Sequence, residues 1–323
     1  MKVLVTGAGG FIGTKVVEVL RARGRIGESS ITALALADQS LAWVPAGALA
    51  LEGDLGSASA LARVAEFAPD VTIHLAAVPG GAAEKDYALG RRVNLDTSLA
   101  LFEALAVRRE RPPIVVYASS VAVYGATLPE VVRPDTPLGP PLTYGAHKLA
   151  CEILLADFSR RGLLDGRSVR LPGVVARPRE PNGFASAFMS DILHALAAGE
   201  RYTCPVSPQA TTWLMSAWRC AENLVHAASM EVGADPARAW TLPVLRLSMG
   251  QIVDTLAGLY GADRRALADY APQPALEAVF ANYPLLDNSA ARALGLADDG
   301  SPEALVLRAL ATRYPPPLRR RSQ

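Results

Sequence analysis

The chain has 323 residues, half of them hydrophobic, and its 32 basic and 31 acidic side chains leave a formal net charge of +1. This length and apolar fraction support a core of roughly 200 residues plus a smaller lobe, and the near-neutral balance gives no footing for a nucleic-acid partner. No apolar run reaches membrane-spanning length, and the scattered Cys151, Cys204 and Cys220, like His74, His147, His194 and His226, make neither a disulfide framework nor a metal site.

The chain opens directly on an apolar strand, Met1–Val5, so no signal peptide is expected. A cytoplasmic location and a reducing compartment are therefore expected. Gly7, Gly10 and Gly13 follow, three residues apart, with Phe11 and Ile12 between the last two and a helical pattern running to Arg23. A strand, a glycine turn and a helix form a cradle for a pyrophosphate. Glycine supplies the unusual backbone angles and the close approach, and the N–H groups of the first helical turn hold the negative charge.

Ile31–Ala37 reads as the second strand, closed by Asp38. An acid there accepts hydrogen bonds from the ribose hydroxyls of an adenosine and repels a 2′-phosphate, which favours NAD over NADP; the lesser alternative is a loop-initiating turn residue. Leu49–Leu51 is a short apolar run, residues 58–67 a helix and Val71–Leu75 a strand leading to Ala76 and Ala77. Tyr87–Arg109 reads as one long helix ending in basic residues, with Asn94 either a surface amide or a kink beside the active site. Ile114–Ala118 is a strand that delivers Ser119 and Ser120 to the carboxyl edge of the sheet, where ligands bind.

A proline-rich loop, Leu128–Leu142, precedes a helix from Thr143 to about Arg161. Tyr144 and Lys148 are four residues apart and share one face of it. An ammonium beside a phenol lowers its pKa, so Tyr144 is a candidate base, with Ser120 holding the reacting oxygen. After the strand Ser168–Leu171, the spacing predicts helices at Asn182–Ala198, Ala217–Met230, Ser248–Tyr260, Asn288–Leu294 and Pro302–Thr312. Short strands are expected at Tyr202–Val206, Ala239–Leu242 and Ala278–Phe280. Arg319, Arg320 and Arg321 read as a solvated tail behind three prolines.

Taken together, Gly7, Gly10 and Gly13, Asp38, Asp54-Leu55, His74-Leu75-Ala76-Ala77, Asn94, Ser120, Tyr144, Lys148 and Arg170-Leu171-Pro172-Gly173 give a sequence that resembles the extended short-chain dehydrogenase/reductase superfamily. The resemblance covers essentially the whole chain. It implies an α/β fold: a Rossmann-type parallel sheet with helices on both faces, and a smaller C-terminal substrate-binding lobe. Residues 1–170 would form the NAD-binding core with the catalytic residues, and residues 171–323 mainly the substrate lobe with elements returning to the core. It further implies NAD as cofactor, held by the glycine turn, Phe11, Ile12, Asp38, Asp54, Leu55, Leu75, Ala76, Ala77, Asn94, Tyr144, Lys148 and Pro172. Catalysis would fall to Ser120, Tyr144 and Lys148. Superfamily members commonly dimerise through two helices per subunit, here Tyr87–Arg109 and Tyr144–Arg161, so a homodimer is expected.

More narrowly, Pro140–Ala150, Leu171–Pro178, Cys204–Pro208 and Thr211–Ser216 are similar to the D-erythronate dehydrogenase family. That family oxidises the C2 hydroxyl of a four-carbon sugar acid with NAD. Leu171-Pro172-Gly173 departs from the aromatic, asparagine and glycine region of nucleotide-sugar enzymes, so a small substrate is expected. Ser119, Ser120, Tyr144, Arg179, Asn182 and Thr212 are the candidate substrate contacts, and Trp213 either walls the pocket or packs in the core. Oxidation of L-threonine or another hydroxy acid, epimerisation of a nucleotide sugar, and a non-enzymatic dinucleotide-binding role remain open. The last has no use for an intact Ser120, Tyr144 and Lys148.

Overall fold

A computed structural model describes residues 1–106, 110–179, 186–233, 236–280 and 282–314. In chain order, the strands that organise it are β1 (Lys2–Thr6), β2 (Ala33–Asp38), β3 (Leu49–Glu52), β4 (Val71–His74), β5 (Ile114–Ser120), β6 (Asp165–Leu171), β7 (Gly173–Val175), β8 (Thr211–Ser216), β9 (Ala239–Thr241) and β10 (Leu245–Ser248). Seven of them make one parallel sheet in the order β9-β6-β5-β4-β1-β2-β3. The order runs outward from β1 in both directions, so a crevice opens between the carboxyl ends of β1 and β4, the place where such sheets bind ligands.

The apolar runs of the strands follow from burial on both faces. Val3 and Val5 point into one core layer with Val16 and Leu20 of helix α1 (Phe11–Arg23), joined there by Ala221 and Leu224. Leu4, between them, points into the opposite layer with Val64, Leu101 and Leu155. Beyond β6 the chain builds a second apolar cluster around Ile192, Leu196, Leu214, Ile252 and Leu256. A three-stranded sheet, β7-β8-β10, borders this part, while β9 returns to the main sheet.

Several elements differ from the sequence reading. The expected long helix is α4 (Tyr87–Arg91), a π-turn over Arg92–Asp96, and α5 (Thr97–Leu105). Arg108 and Arg109, its expected end, lie outside the described residues. A short helix, α3 (Gly80–Lys85), was not foreseen, because its Gly-Gly-Ala-Ala start has little helical pattern. Thr211–Ser216 is a strand buried over most of its length, which hides any alternation. Trp213 belongs to the core: it is 1% exposed and donates from Nε1 to the Pro284 carbonyl at 2.7 Å. Ala278–Phe280 ends a helix, Pro274–Phe280, rather than forming a strand. Proline at a first helical position and Glu277 in the first turn both favour that outcome. The helix expected from Asn182 is described as Phe188–Ala198 (α7), and residues 180–185 are outside the described set.

The helix carrying Tyr144 and Lys148 is α6 (Thr143–Arg160). It is fastened to the sheet by a buried ion pair: the Arg170 guanidinium of β6 meets the Glu152 carboxylate through Nη2 at 2.7 Å and Nε at 3.0 Å. The Ser119 hydroxyl of β5 donates to the same carboxylate. Removing one member of such a pair strands an uncompensated charge in the interior. Glu152→Ala is expected to lower unfolding free energy by about 3–5 kcal/mol, read as a fall in the urea midpoint; an unchanged midpoint would show that the pair does not hold the helix.

Candidate active site

The glycine turn after β1 is shaped by contacts that a side chain would fill. Gly7 has φ of 65°, and a Cβ on Gly13 would lie 2.0 Å from the Gly7 carbonyl oxygen. Only glycine at both positions lets α1 begin this close to the strand. Helix α1 has Gly10 as its N-cap, with no side chain capping it and no acid in its first turn. Its first-turn N–H groups therefore carry partial positive charge that no residue of the helix itself caps, as an anion site requires.

Asp38 reaches this turn from the end of β2. Its carboxylate accepts the Gly9 N–H and the Gln39 N–H, both at 2.8 Å. Asp54 accepts the Gly56 N–H at 2.9 Å at the end of the neighbouring strand, and Leu55 beside it is buried. On the other side of β1, Leu75, Ala76 and Ala77 follow β4, and the Thr6 hydroxyl accepts the Leu75 N–H at 3.2 Å. A dinucleotide fits this donor and acceptor set: small residues and N–H groups where phosphates would lie, and a carboxylate where ribose hydroxyls would lie.

Asn94 serves the site from behind. It is fully buried in the π-turn, and its side chain accepts the Val78 N–H at 2.8 Å and donates to the Val78 carbonyl at 3.0 Å. The sequence reading placed Asn94 on the cofactor; the structure engages its amide with Val78, so it fixes the Leu75–Val78 segment. A buried chain lies beneath: Thr6 to His74 at 2.6 Å, His74 to Ser98 at 3.0 Å. Burial holds the His74 imidazole neutral, with a pKa lowered to about 3, and the Lys148 charge adds to that effect.

Ser120, Tyr144 and Lys148 come together at the carboxyl ends of β5 and β6. A Cβ on Gly145 would lie 2.1 Å from the Ala122 carbonyl oxygen, so α6 starts pressed against the turn after Ser120. The Ser120 hydroxyl accepts the Ala122 N–H at 3.1 Å and is close enough to the Tyr144 phenol to favour its ionised form. Lys148 Nζ donates to the Ala118 carbonyl at 2.7 Å and sits 5.6 Å from the Tyr144 ring centroid. Burial lowers the Lys148 ammonium to about 8, offset in part by Cys151 and Glu152.

The electrostatics of the phenol differ from the expectation. Burial raises the Tyr144 pKa above its ordinary 10.0, and the groups opposing that rise are Arg177 first and Ser120 second. Lys148, which donates one of its N–H groups to a backbone carbonyl, is not among them. Arg177 was not singled out from sequence. It lies just beyond β7, directly after the apolar run Val174-Val175-Ala176, and that position at a strand end is the signal that could have found it.

The candidate substrate contacts divide. Ser120 and Tyr144 face one another. Ser119, one residue earlier, points to the other side of the strand and is taken by Glu152, which removes it from the crevice. Thr212 is 1% exposed, with its hydroxyl directed at the Met189 sulfur 3.6 Å away, so it is an interior group. Arg179 is an exposed residue paired with Glu200 at 2.6 Å. Asn182 lies outside the described residues. Pro172 is a buried residue between β6 and β7. Among the described residues, no group of three or more His, Cys, Asp or Glu side chains could hold a metal ion, and no helix is long and apolar enough to cross a membrane.

A parallel sheet with a glycine-turn cradle and a Ser-Tyr-Lys cluster at its carboxyl edge defines a dinucleotide-dependent enzyme fold, and the chain belongs to the NAD dependent epimerase/dehydratase family, whose pattern matches residues 3–214. Within it, the chain is 36% identical to D-erythronate dehydrogenase of Cupriavidus necator, over 95% of this chain and 97% of that one. It is 32% identical to the D-erythronate dehydrogenase of Haemophilus influenzae, over 93% and 96% respectively. Among solved structures, a nucleoside-diphosphate-sugar epimerase of Agrobacterium tumefaciens superposes with a TM-score of 0.89 at 32% identity, over 95% of this chain and 92% of that one.

The position of Tyr144 has a spectroscopic consequence. In the ligand-free protein its phenol is expected to ionise only above its ordinary pKa of 10.0. Ultraviolet titration of the wild type and of Tyr144→Phe should therefore differ by one phenolate that appears late, at strongly alkaline pH. A difference that develops below about pH 9 would contradict the burial of this group.

Proposed function

We propose that the protein is an NAD-dependent dehydrogenase that oxidises the C2 hydroxyl of D-erythronate to the 2-oxo acid. The observation that carries the reaction class is the gathering of Tyr144, Lys148 and Ser120, with the start of their helix pressed on the turn after Ser120, beside a cradle suited to a dinucleotide. The substrate follows from likeness to two D-erythronate dehydrogenases along nearly the full length of the chain.

The cofactor would be held by the Gly7–Gly13 turn with Phe11 and Ile12 at the pyrophosphate, by Asp38 at the adenosine ribose, and by Asp54 and Leu55 at adenine. Leu75, Ala76, Ala77 and Pro172 would flank it. When bound, NAD accepts the hydride from the substrate carbon. A negative Asp38 in this place disfavours a 2′-phosphate, which supports NAD over NADP.

Ser120 donates to or accepts from the C2 oxygen and holds it against Tyr144. Tyr144, as phenolate, removes the hydroxyl proton. Since burial raises that phenol, the cations around it have to offset the cost of the charge. Lys148, fixed on the Ala118 carbonyl, contributes a buried positive charge on the same helix face. In this reading residues 1–170 carry the cofactor and the proton transfer, and residues 171–323 mainly the substrate.

The A. tumefaciens relative supplies a second reading, epimerisation of a nucleotide sugar. It requires no net NADH. A homodimer is also proposed: Tyr87 of α4 is 61% exposed and Ile153 of α6 is 63% exposed, large apolar side chains on the two helices expected to pair.

Initial rates with NAD and a panel of four-carbon aldonic acids, L-threonine and nucleotide sugars test the substrate. D-Erythronate is expected to give the highest kcat/KM, and Tyr144→Phe to lower it by about a hundredfold or more. NAD that stays bound with no NADH released would favour the epimerase. Solution mass tests the assembly: Ile153→Glu is expected to convert a dimer to monomer, and a wild type already monomeric would dispose of the idea.

A further inference from the structure

We propose that Tyr117 is a positioning residue of the reaction: the face of its ring holds the Lys148 ammonium in place beside Tyr144. The inference rests on the dehydrogenase reading, in which Lys148 supplies positive charge near the phenol. Tyr117 lies inside β5 and is fully buried.

Lys148 brings a charge into an interior that disfavours it, with only 2% of the residue exposed. An acid would be the ordinary compensation. Glu152, one turn along the same helix, is already balanced by Arg170 of β6. Burial raises the Cys151 thiol and so keeps it uncharged, and His74 of β4 is neutral. Glu84 of α3, Asp96 of the π-turn and Arg91 of α4 act on His147, and Arg177 acts on Tyr144. What Nζ has is the Ala118 carbonyl at 2.7 Å and an aromatic face: it lies over Tyr117, 4.7 Å from the ring centroid. The negative potential of a π-face attracts an ammonium, most strongly where water is excluded. The Tyr144 ring centroid is further off, at 5.6 Å.

The Tyr117 ring is itself fixed. His74 stacks with it at 5.7 Å and 29° between planes, and Phe102 meets it edge-on at 5.9 Å and 87°. A neutral His74 suits this place, since a charged imidazole would repel the ammonium. Burial draws Lys148 down to about 8, and a ring that favours the charged form opposes that fall. The consequence reaches Tyr144. When the two groups together lose one proton, it leaves from either of them. Loss from Tyr144 gives a phenolate beside an ammonium, the reactive form. Loss from Lys148 gives two neutral groups. By favouring the ammonium, the ring shifts the division towards the reactive form.

Fluorine draws charge from a ring face and leaves its shape nearly unchanged. The test therefore compares Tyr117→Phe with Tyr117 replaced by a trifluorinated phenylalanine. The chain has four lysines, Lys2, Lys15, Lys85 and Lys148. NMR of protein isotopically labelled at lysine follows each of them, and the signal missing from Lys148→Met is that of Lys148. Lys148 is expected to titrate about one pH unit lower in the trifluorinated variant than in Tyr117→Phe. Equal titration in the two overturns the proposal.

The role in the reaction is read from kcat/KM with D-erythronate. The two variants should agree at about pH 6, where Lys148 is charged in both, and the trifluorinated one should be about tenfold slower at about pH 9. A ratio that is the same at both pH values is what a packing defect gives, and it overturns the positioning role. Should the wild type form no NADH from D-erythronate, the dehydrogenase reading fails by itself, while the titration still decides whether the ring holds the ammonium.

Discussion

The candidate active site depends on a pair of opposite charges buried behind it. Glu152 and Arg170 meet in the interior with side chains only 4% and 7% exposed, and Ser119 completes the set. These three residues come from α6, β6 and β5; α6 also carries Tyr144 and Lys148, β5 carries Ser120, and Pro172 directly follows β6. Tyr144, Lys148 and Glu152 follow one another at intervals of four along a single helix face. Fixing the lowest member of that row fixes the height and rotation of the other two. A hydrophobic contact could hold the helix against the sheet as tightly, but it would not set rotation and register together in this way.

Above the pair, the site holds ionisable groups that burial makes expensive to charge. The Tyr144 phenol is pushed up, the Lys148 ammonium is drawn down to about 8, and the His74 imidazole is kept neutral. All three shifts have desolvation as their largest cause. The proposed chemistry would need a negative oxygen at Tyr144 and positive charge around it. The walls of the crevice therefore resist the reactive state, and Arg177 and Ser120 work against that resistance. The contrast with His74 is instructive. It sits in a closed chain of neutral hydroxyl partners, Thr6 and Ser98, which satisfies a neutral ring at both nitrogens and brings no counter-charge to a charged one.

Much of this was legible in the order of residues. The glycine spacing, the position of Asp38 at a strand end and the four-residue interval between Tyr144 and Lys148 all express local geometry, and local geometry is what periodicity encodes. The π-turn was half legible: Asn94 stood out as a polar group in an apolar helix, yet its partner, the Val78 backbone, lies across a loop. The strand at Thr211–Ser216 was not, since most of its residues are buried and no alternation survives. The substrate contacts were the least legible. Ser119, Arg179 and Thr212 have suitable functional groups, but what decides their use is a tertiary partner, Glu152, Glu200 or Met189. Arg177 is the mirror case. Its neighbours in sequence are unremarkable, and its significance comes from α7, which holds its backbone, and from Tyr144.

Ser119 and Ser120 are chemically identical neighbours with opposite fates, one turned to the ion pair and the other to the phenol. Sliding β5 by a single position would still offer the crevice a serine hydroxyl, so the reaction site alone could not tell the correct pairing from the shifted one. The shifted strand would, however, present its alternate side chain to Glu152 and its apolar residues to the wrong layers. The hidden carboxylate thus acts as a proofreader of strand alignment for a centre that could not check itself.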